Sequence, residues 1–136
     1  MVSPPARKLP RLEPDTAFYW TCGADDVLRI QRCGDCGTWQ HPPLPLCAQC
    51  RSEAVSPQAV SGKGRLASYT VNHEPWLPGL AVPFVFGVVE LAEQPELYVF
   101  TNVLAATGDV AVGMALTVEF ERHEDVWLPM FREDRA

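Results

Sequence analysis

Four of the five cysteines stand in two pairs of identical spacing, Cys33-Gly34-Asp35-Cys36 and Cys47-Ala48-Gln49-Cys50. A C-x-x-C turn places two thiolates on one side of the backbone, and two such turns facing each other supply the four soft ligands of a tetrahedral zinc ion. A site with four protein ligands leaves no coordination position for water or substrate. The pattern therefore predicts a structural metal site at Cys33, Cys36, Cys47 and Cys50.

Two other uses of these cysteines stay open from the sequence. The same ligand set could hold rubredoxin-like iron, and in an oxidising compartment the cysteines could pair as disulfides. The insert between the pairs, residues 37–46, is shorter than in many zinc ribbons and contains three prolines. Residues 1–14 are rich in proline and charge and do not resemble a signal peptide. We therefore expect a cytoplasmic protein in which a structural zinc ion is favoured.

Two further residues near the cysteines could act as ligands or nucleophiles. Cys22 ends the aromatic stretch Phe18-Tyr19-Trp20-Thr21-Cys22, and a free cysteine in such surroundings is usually a small buried hydrophobe. His41 lies in the insert, where four thiolates already complete a metal site. We predict a buried, unreactive Cys22 and a surface-exposed His41.

The acidic composition limits the classes of partner. The 136 residues carry a formal net charge of −6, with a sequence pI near 4.9. Ribbon and barrel proteins that bind nucleic acid need a basic face for the phosphate backbone, so no nucleic-acid partner is expected. No apolar run approaches the roughly 20 residues that span a bilayer, so no membrane partner is expected either.

The hydrophobic pattern predicts a mainly β chain. Pro14-Asp15 begins a short helix that Gly23 either ends or splits into two turns, and residues 27–32 alternate apolar and polar as in a strand leading to Cys33. Residues 56–60 would be the returning strand of a zinc ribbon. Five further β segments follow the turn Gly62-Lys63-Gly64, at residues 65–73, 84–91, 97–104, 115–122 and 126–131. Such short strands, with no long helical period, favour a small barrel of OB type over a β-sandwich.

These elements divide the chain into three parts. Residues 1–13 are predicted to be a flexible tail, because proline and charge dominate there. Residues 14–61 hold the helix and the zinc ribbon, and residues 62–136 hold the barrel. The predicted fold is therefore mainly β, with a short N-terminal helix, a rubredoxin-like zinc ribbon and a five-stranded OB-fold barrel. The ribbon is too short for a core of its own and is expected to depend on its metal.

The order of these pieces resembles one known family. Its members, long catalogued as a domain of unknown function, are associated with acyl-CoA metabolism and join an N-terminal helix and a rubredoxin-like zinc ribbon to an OB-fold barrel. Only the double C-x-x-C is specific by itself, and the rest of the resemblance depends on the order of the pieces. The matching stretches are Phe18-Tyr19-Trp20, residues 28–37, Pro42-Pro43 before Cys47, residues 61–70, Pro83, residues 88–91, Gly113-Met114 and Pro129-Met130-Phe131.

The resemblance implies a non-catalytic subunit. Family members are partnered with thiolase-fold enzymes, including thiolases, hydroxymethylglutaryl-CoA synthases and retro-aldolases that shorten steroid side chains carried as CoA thioesters. We therefore expect an accessory subunit that binds and stabilises such an enzyme in steroid or lipid side-chain degradation, with the acyl-CoA held mainly by the partner. Some relatives are fused to a hydratase domain, so the chain is expected to be either a free subunit or a domain of a longer protein.

No catalytic motif is recognisable in the sequence. The residues able to act as acids or bases near a loop are His73, Glu74, Glu90, His123 and Asp125, and none belongs to a known constellation. His73 is expected at the edge of a loop, or as a residue that reaches into a partner's active site. His123 lies in a charged turn and is expected to be solvated.

The loop before the second barrel strand is the stronger candidate for partner contact. Trp76, Leu77, Leu80 and Val82 offer few polar atoms, and the prolines around them reduce the entropy lost when another surface clamps the loop. The alternative is that this loop covers the mouth of its own barrel.

A second functional hypothesis is a stand-alone acyl-CoA-binding protein. In that case Lys63 and Arg65 would contact the CoA phosphates. Two cations are thin support, because a solvated strand edge often carries that many.

Overall fold

The computed structural model describes residues 9–75 and 81–135, which form one short helical segment and two β-sheets. Helix α1 is Ala17–Thr21, and it continues as a 3-10 turn over Cys22–Asp25. The small sheet contains β1 (Arg29–Cys33), β2 (Trp39–Gln40) and β3 (Val55–Ala59). The barrel contains β4 (Lys63–Asn72), β5 (Phe84–Leu91), β6 (Tyr98–Val103), β7 (Ala115–His123) and β8 (Val126–Glu133).

The small sheet positions the first cysteine pair. Its strands are antiparallel in the order β2-β1-β3, with Arg32 opposite Trp39 and Cys33 opposite Val55. Because β1 ends at Cys33, the first C-x-x-C turn is the direct continuation of the central strand. The predicted strands on both sides of the cysteines are therefore confirmed, and they form the two arms of a zinc ribbon.

The five remaining strands close into a barrel in the order β4-β5-β6-β8-β7, with β7 returning to β4. All pairings are antiparallel except that of β6 with β8, which is parallel and places Val103 opposite Phe131. The register of β4 against β5 shifts between Leu66 and Ser68. Such an irregularity increases the local bend, which a small barrel needs for closure. The predicted five-stranded OB-fold barrel is confirmed.

One hydrophobic core joins the ribbon to the barrel. Leu66, Val89, Val99, Leu116 and Phe131 fill the barrel and are fully buried. Burying one such side chain contributes about 1.5–3 kcal/mol. A further set of buried side chains continues this cluster into the ribbon and α1: Tyr19, Cys22, Leu28, Ile30 and Trp39. The short ribbon therefore shares the barrel's core.

The helical segment packs closely on strands β7 and β8. A Cβ atom built at Gly23 would lie 2.4 Å from Cβ of Trp127 and 2.6 Å from Cδ1 of Phe120, so only glycine fits there. Gly23 lies inside the 3-10 turn that follows α1, so of the two predicted alternatives the helical segment is divided into two turns and does not end at Gly23. Asp26 ends the 3-10 turn with a left-handed φ of 56°. Among the described residues, no helix is long and apolar enough to cross a bilayer.

Candidate metal centre

The four sulfur atoms of the paired cysteines converge on one point. The Sγ atoms of Cys33, Cys36, Cys47 and Cys50 all lie within 4.8 Å of one another, and the Cys33–Cys50 and Cys36–Cys47 distances are 3.6 and 3.5 Å. Four sulfurs about 2.3 Å from a tetrahedral zinc ion would be about 3.8 Å apart. All five cysteines are free, and a disulfide would need a sulfur separation of about 2.05 Å. The spacing therefore fits a metal ion and not a disulfide.

The two C-x-x-C turns repeat one hydrogen-bond pattern. In each turn the sulfur of the first cysteine accepts from the backbone N–H groups two and three residues later, at 3.4 Å for Cys33 and at 3.4 and 3.5 Å for Cys47. These donors point at the sulfur atoms and stabilise their negatively charged form. The backbone thus prepares both turns for thiolate ligands before any metal binds.

The residue after each turn has a left-handed backbone. Gly37 has a φ of 79°, and its N–H donates to the carbonyl of Cys33 at 3.0 Å. Arg51 holds the same place in the second turn, with a φ of 63° and an N–H bond of 2.9 Å to the carbonyl of Cys47. Glycine adopts this conformation readily, whereas arginine does so at a cost. The two turns therefore share one backbone path built from different residues.

The electrostatics of the four sulfur atoms favour a cation between them. Hydrogen bonding with Thr38 lowers the pKa of Cys36 to about 6, and the backbone N–H of Cys36 lowers the pKa of Cys33. At Cys50 a backbone hydrogen bond from Ser52 also lowers the pKa, but the neighbouring cysteines and burial outweigh it and raise the value to about 12. Four thiolates this close are stable together only around a positive ion. The donor set therefore fits a soft divalent metal such as zinc, which would hold the two turns together.

A buried pair of glutamines, which the sequence analysis missed, fixes the insert between the turns. Gln40 Nε2 donates to Gln31 Oε1 at 2.6 Å and to the carbonyl of Leu46 at 3.1 Å. Gln31 donates to the carbonyl of Leu44 and accepts from its N–H, both at 2.9 Å, and Gln40 Oε1 accepts from the N–H of Ala48 at 2.9 Å. The two side chains replace the strand partners that this segment lacks. They hold the second turn against the first.

The structure agrees with the predicted position of Cys22 but not with that of His41. Cys22 is 3% exposed, so its predicted burial is confirmed, and burial raises the pKa of its thiol. Its low reactivity stays a prediction. His41 is partly buried and lies against Tyr19, with the ring centroids 4.6 Å apart. Its Nδ1 atom has no hydrogen-bonding partner among the described residues, and burial lowers the pKa of the ring to about 4. The prediction of a surface histidine is wrong, because the insert folds back onto α1.

The two cations proposed for CoA phosphates already have partners within the chain. Lys63 Nζ lies 2.7 Å from an oxygen of Asp134, and Arg65 donates to the carbonyl of Gly113 at 3.2 Å. Both line a cleft of about 460 Å³ that also contains the acidic side chains of Glu90 and Asp134. The cleft thus carries as many carboxylates as cations. A role for Lys63 and Arg65 in binding phosphate stays a prediction.

The predicted partner-binding loop lies mostly outside the described residues. Of its four apolar residues, the structure describes only Val82, which is exposed, while Trp76, Leu77 and Leu80 fall in the undescribed range 76–80. Among the acid and base candidates, Glu90 accepts a hydrogen bond from the backbone N–H of Glu96 at 2.8 Å. His123 is paired with Glu121 at 2.5 Å. The structure does not bring these candidates into a recognisable catalytic group among the residues that it describes.

Comparison with solved structures gives matches along most of the chain. A chain of the Ltp2-ChsH2(DUF35) aldolase superposes with a TM-score of 0.82 and 32% identity, covering 92% of this chain and 98% of that one. A protein of unknown function from the DUF35 family of Sulfolobus solfataricus superposes with a TM-score of 0.62, covering 89% of this chain and 86% of that one. At 15% identity, the second match supports the fold alone.

Three curated proteins show sequence similarity. A probable enoyl-CoA hydratase alpha subunit of Thermomonospora curvata is 34% identical over 93% of this chain, and the 3-oxo-4,17-pregnadiene-20-carboxyl-CoA hydratase alpha subunit of Mycobacterium tuberculosis is 41% identical over 68%. The chain spans only 40% and 29% of the lengths of these two relatives. The benzoylsuccinyl-CoA thiolase subunit BbsA of Thauera aromatica is 29% identical, over 74% of this chain and 73% of its own length.

Two family models match consecutive parts of the chain. The rubredoxin-like zinc ribbon domain of ChsH2 matches residues 20–56, and the C-terminal OB-fold domain of ChsH2 matches residues 57–121. The first match contains all four converging cysteines, and the second contains β4, β5, β6 and most of β7. The chain therefore belongs to the ChsH2 zinc-ribbon and OB-fold (DUF35) family, and its four cysteines are positioned to bind a metal ion in the zinc ribbon.

Proposed function

We propose that the chain is a non-catalytic accessory subunit that binds and stabilises a thiolase-fold enzyme acting on acyl-CoA thioesters. The observation that carries the proposal is the match to the Ltp2-ChsH2(DUF35) aldolase, because the shared unit accounts for 98% of the matched chain. The similarity to the benzoylsuccinyl-CoA thiolase subunit supports the same role. One relative is thus named as part of an aldolase and the other as part of a thiolase.

The chemistry of the described residues supports a non-catalytic role. The four-cysteine site has no open ligand position, so its metal would hold the ribbon without activating water or substrate. Hydrogen bonds within the chain already engage Glu90 and His123, two of the candidate acids and bases. In this proposal the reacting groups belong to the partner enzyme, which also holds most of the acyl-CoA.

The proposal also includes the kind of acyl-CoA on which the partner enzyme acts. The M. tuberculosis relative is named for a pregnadiene carboxyl-CoA, which supports steroid or lipid side-chain degradation as the setting. Its match covers only 29% of that relative, so it does not support hydratase activity in this chain. The match to the enoyl-CoA hydratase alpha subunit covers only 40% of that relative and does not support hydratase activity either.

The alternative function is a stand-alone acyl-CoA-binding protein. It would need Lys63 and Arg65 to exchange their partners, Asp134 and the Gly113 carbonyl, for CoA phosphates. Since the same cleft presents Glu90, the phosphates would also meet a like charge. The accessory role therefore has the stronger support.

The experiment that tests the proposal is coexpression of the chain with a thiolase-fold enzyme encoded beside it. We expect the two proteins to elute together from a sizing column, with the complex mass measured by light scattering and one zinc ion per copy of this chain. The acyl-CoA reaction should require the partner and proceed faster with both proteins than with either alone. A chain that stays separate from the partner and binds acyl-CoA by itself would overturn the proposal in favour of the alternative.

A further inference from the structure

The outer surface of the barrel is polar on one side and aromatic on the other. On β7, Thr117, Glu119 and Glu121 alternate with inward residues, and Glu119 pairs with Arg132 across the strands at 3.3 Å. This is the usual pattern for a strand whose outer face meets water. The outward face of β7 is therefore an ordinary solvated surface, with which the outward face of β5 and β6 can be compared.

Strands β5 and β6 depart from this pattern. Their inward residues are buried and alternate with outward residues, yet the outward positions hold Phe86, Val88, Tyr98 and Phe100. Phe86, Tyr98 and Phe100 are 38%, 39% and 66% exposed. The rings of Phe86 and Phe100 lie edge to face, with their centroids 6.3 Å apart. Large aromatic side chains at such positions are typical of a surface that another protein covers.

Helix α1 extends this surface toward the ribbon. Trp20 and Phe100 both line a cleft of about 470 Å³ and a second cleft of about 350 Å³. The larger cleft is closed on the ribbon side by Pro42, Pro43 and His41. We define the aromatic face as Trp20, Phe86, Tyr98 and Phe100 with these two clefts. It crosses the joint between helix, ribbon and barrel.

The charges along the aromatic face decide which occupant it fits. Glu96 is the only charged residue among the described residues that line the two clefts, because burial keeps His41 neutral near pH 7. A free CoA or another phosphate-bearing ligand would find no cation there. A second copy of this chain would bring another net charge of −6 to a chain that already carries −6. An apolar surface on a different protein meets neither obstacle.

The geometry points to the aromatic face as the docking surface for the thiolase-fold partner. This inference rests on the proposed function and specifies which residues would contact the partner. The partner's apolar side chains would enter the two clefts on either side of the Trp20 and Phe100 rings. Central aromatic residues beside such clefts usually carry most of the binding energy in a protein interface.

The test compares Phe100→Glu with Val112→Glu in the coexpressed complex. Both positions hold a hydrophobic side chain that is 66% exposed, but Val112 lies in the loop before β7 and lines neither cleft. We expect Phe100→Glu to weaken the complex by about 30-fold or more, as measured by titration calorimetry, and Val112→Glu to leave it unchanged. Zinc content and the melting temperature of each variant alone should match those of the original chain.

The outcomes separate this inference from the proposed function. If the original chain forms the complex and Phe100→Glu binds as tightly, the docking surface is overturned and the proposed function stands. If the original chain forms no complex, the proposed function fails and the inference fails with it. If light scattering shows a dimer of the chain alone that Phe100→Glu dissociates, the face belongs to a second copy and the inference is overturned.

A second measurement covers the case in which Phe100→Glu does not fold. Side-chain footprinting of the original complex should show that Phe86, Tyr98 and Phe100 become protected when the partner binds, whereas Val112 keeps its reactivity. Equal reactivity of the three aromatic residues in the free chain and in the complex would overturn the inference.

Discussion

The side-chain amide of Gln94 pairs with the backbone of Trp39 as a neighbouring strand would. Gln94 Oε1 accepts from the Trp39 N–H and Gln94 Nε2 donates to the Trp39 carbonyl, both at 2.9 Å. Gln94 lies between β5 and β6, whereas Trp39 begins the short strand β2 next to the metal centre. One barrel residue therefore completes the edge of the ribbon sheet. The pair fixes the orientation of the ribbon relative to the barrel, which the aromatic face requires.

We expect Gln94→Ala to destabilise the chain by about 1–3 kcal/mol, because both backbone groups of the mostly buried Trp39 lose their partners. Chemical denaturation of the zinc-loaded chain measures the change. Gln94→Glu keeps an acceptor for the Trp39 N–H, so its free energy of unfolding should lie between those of the original chain and Gln94→Ala. The exposed Gln49, replaced by alanine, serves as the control. A free energy of unfolding for Gln94→Ala equal to that of Gln49→Ala would contradict this prediction.

Loss of the buried glutamine pair should weaken metal binding. In Gln40→Ala the carbonyl of Leu46 and the N–H of Ala48 lose their side-chain partner, so the second cysteine turn is held less firmly. Loss of a residue that holds a ligand's surroundings in place typically costs about 10–100-fold in metal affinity. Competition with a chromophoric chelator measures the affinity, again with Gln49→Ala as the control. Unchanged zinc affinity in Gln40→Ala would show that the turn is held in place without the pair.

The two left-handed positions after the cysteine turns should respond in opposite directions. Gly37→Ala should destabilise the chain by about 1–2 kcal/mol, because a residue with a side chain is strained at a φ of 79°. The added Cβ would contact only the Arg32 side chain, at 3.6 Å, so the cost comes from backbone conformation and not from a clash. Arg51→Gly should relieve the strain at a φ of 63° and stabilise the chain by up to about 1 kcal/mol, after the entropy cost of glycine. Denaturation midpoints of both variants at saturating zinc test this pair, and changes of the same sign would refute it.

The buried His41 should make the chain less stable in acid. Its ring has a folded-state pKa of about 4, against about 6.5 when unfolded, so below pH 6.5 the unfolded chain binds a proton that the folded chain excludes. The free energy of unfolding should therefore fall as the pH drops from about 6.5 to 4, by up to about 3 kcal/mol from this residue.

The variant His41→Gln isolates this contribution from acid release of the metal. The difference in unfolding free energy between the original chain and His41→Gln should change with pH over that interval and stay constant above pH 7. Metal content is measured at each pH in both proteins. Parallel stability curves for the two proteins would contradict the assignment to His41.

The sequence by itself was enough for the metal ligands and for the order of the strands. Two C-x-x-C pairs of equal spacing have few other uses, and the sulfur atoms of Cys33, Cys36, Cys47 and Cys50 meet as predicted. Strand order along the chain follows from short-range alternation, which needs no knowledge of distant contacts. Strand β7 is one example, because Leu116, Val118 and Phe120 alternate with polar residues and the strand predicted at residues 115–122 is observed at Ala115–His123.

Residues whose roles depend on distant contacts could not be predicted. His41 was expected at the surface because four thiolates already complete the metal site, yet Tyr19 lies against its ring from 22 positions away. Gln31 and Gln40 are polar residues in short strands, and nothing local indicates that they face each other inside the ribbon. Gln94 and Trp39 are 55 residues apart in the chain.

The chain's local pattern determined the elements and the ligand set, because cysteine spacing and hydrophobic alternation act over a few residues. The tertiary structure decided which strand faces are covered. Residues 84–89 are apolar at every side-chain position, so their sequence does not reveal which side faces the core. Closure of the barrel buries Val85 and Val89 and leaves Phe86 outside, next to Phe100 and Trp20. The aromatic face arises from that choice, because side chains on one strand face gain neighbours only when β5, β6 and α1 come together.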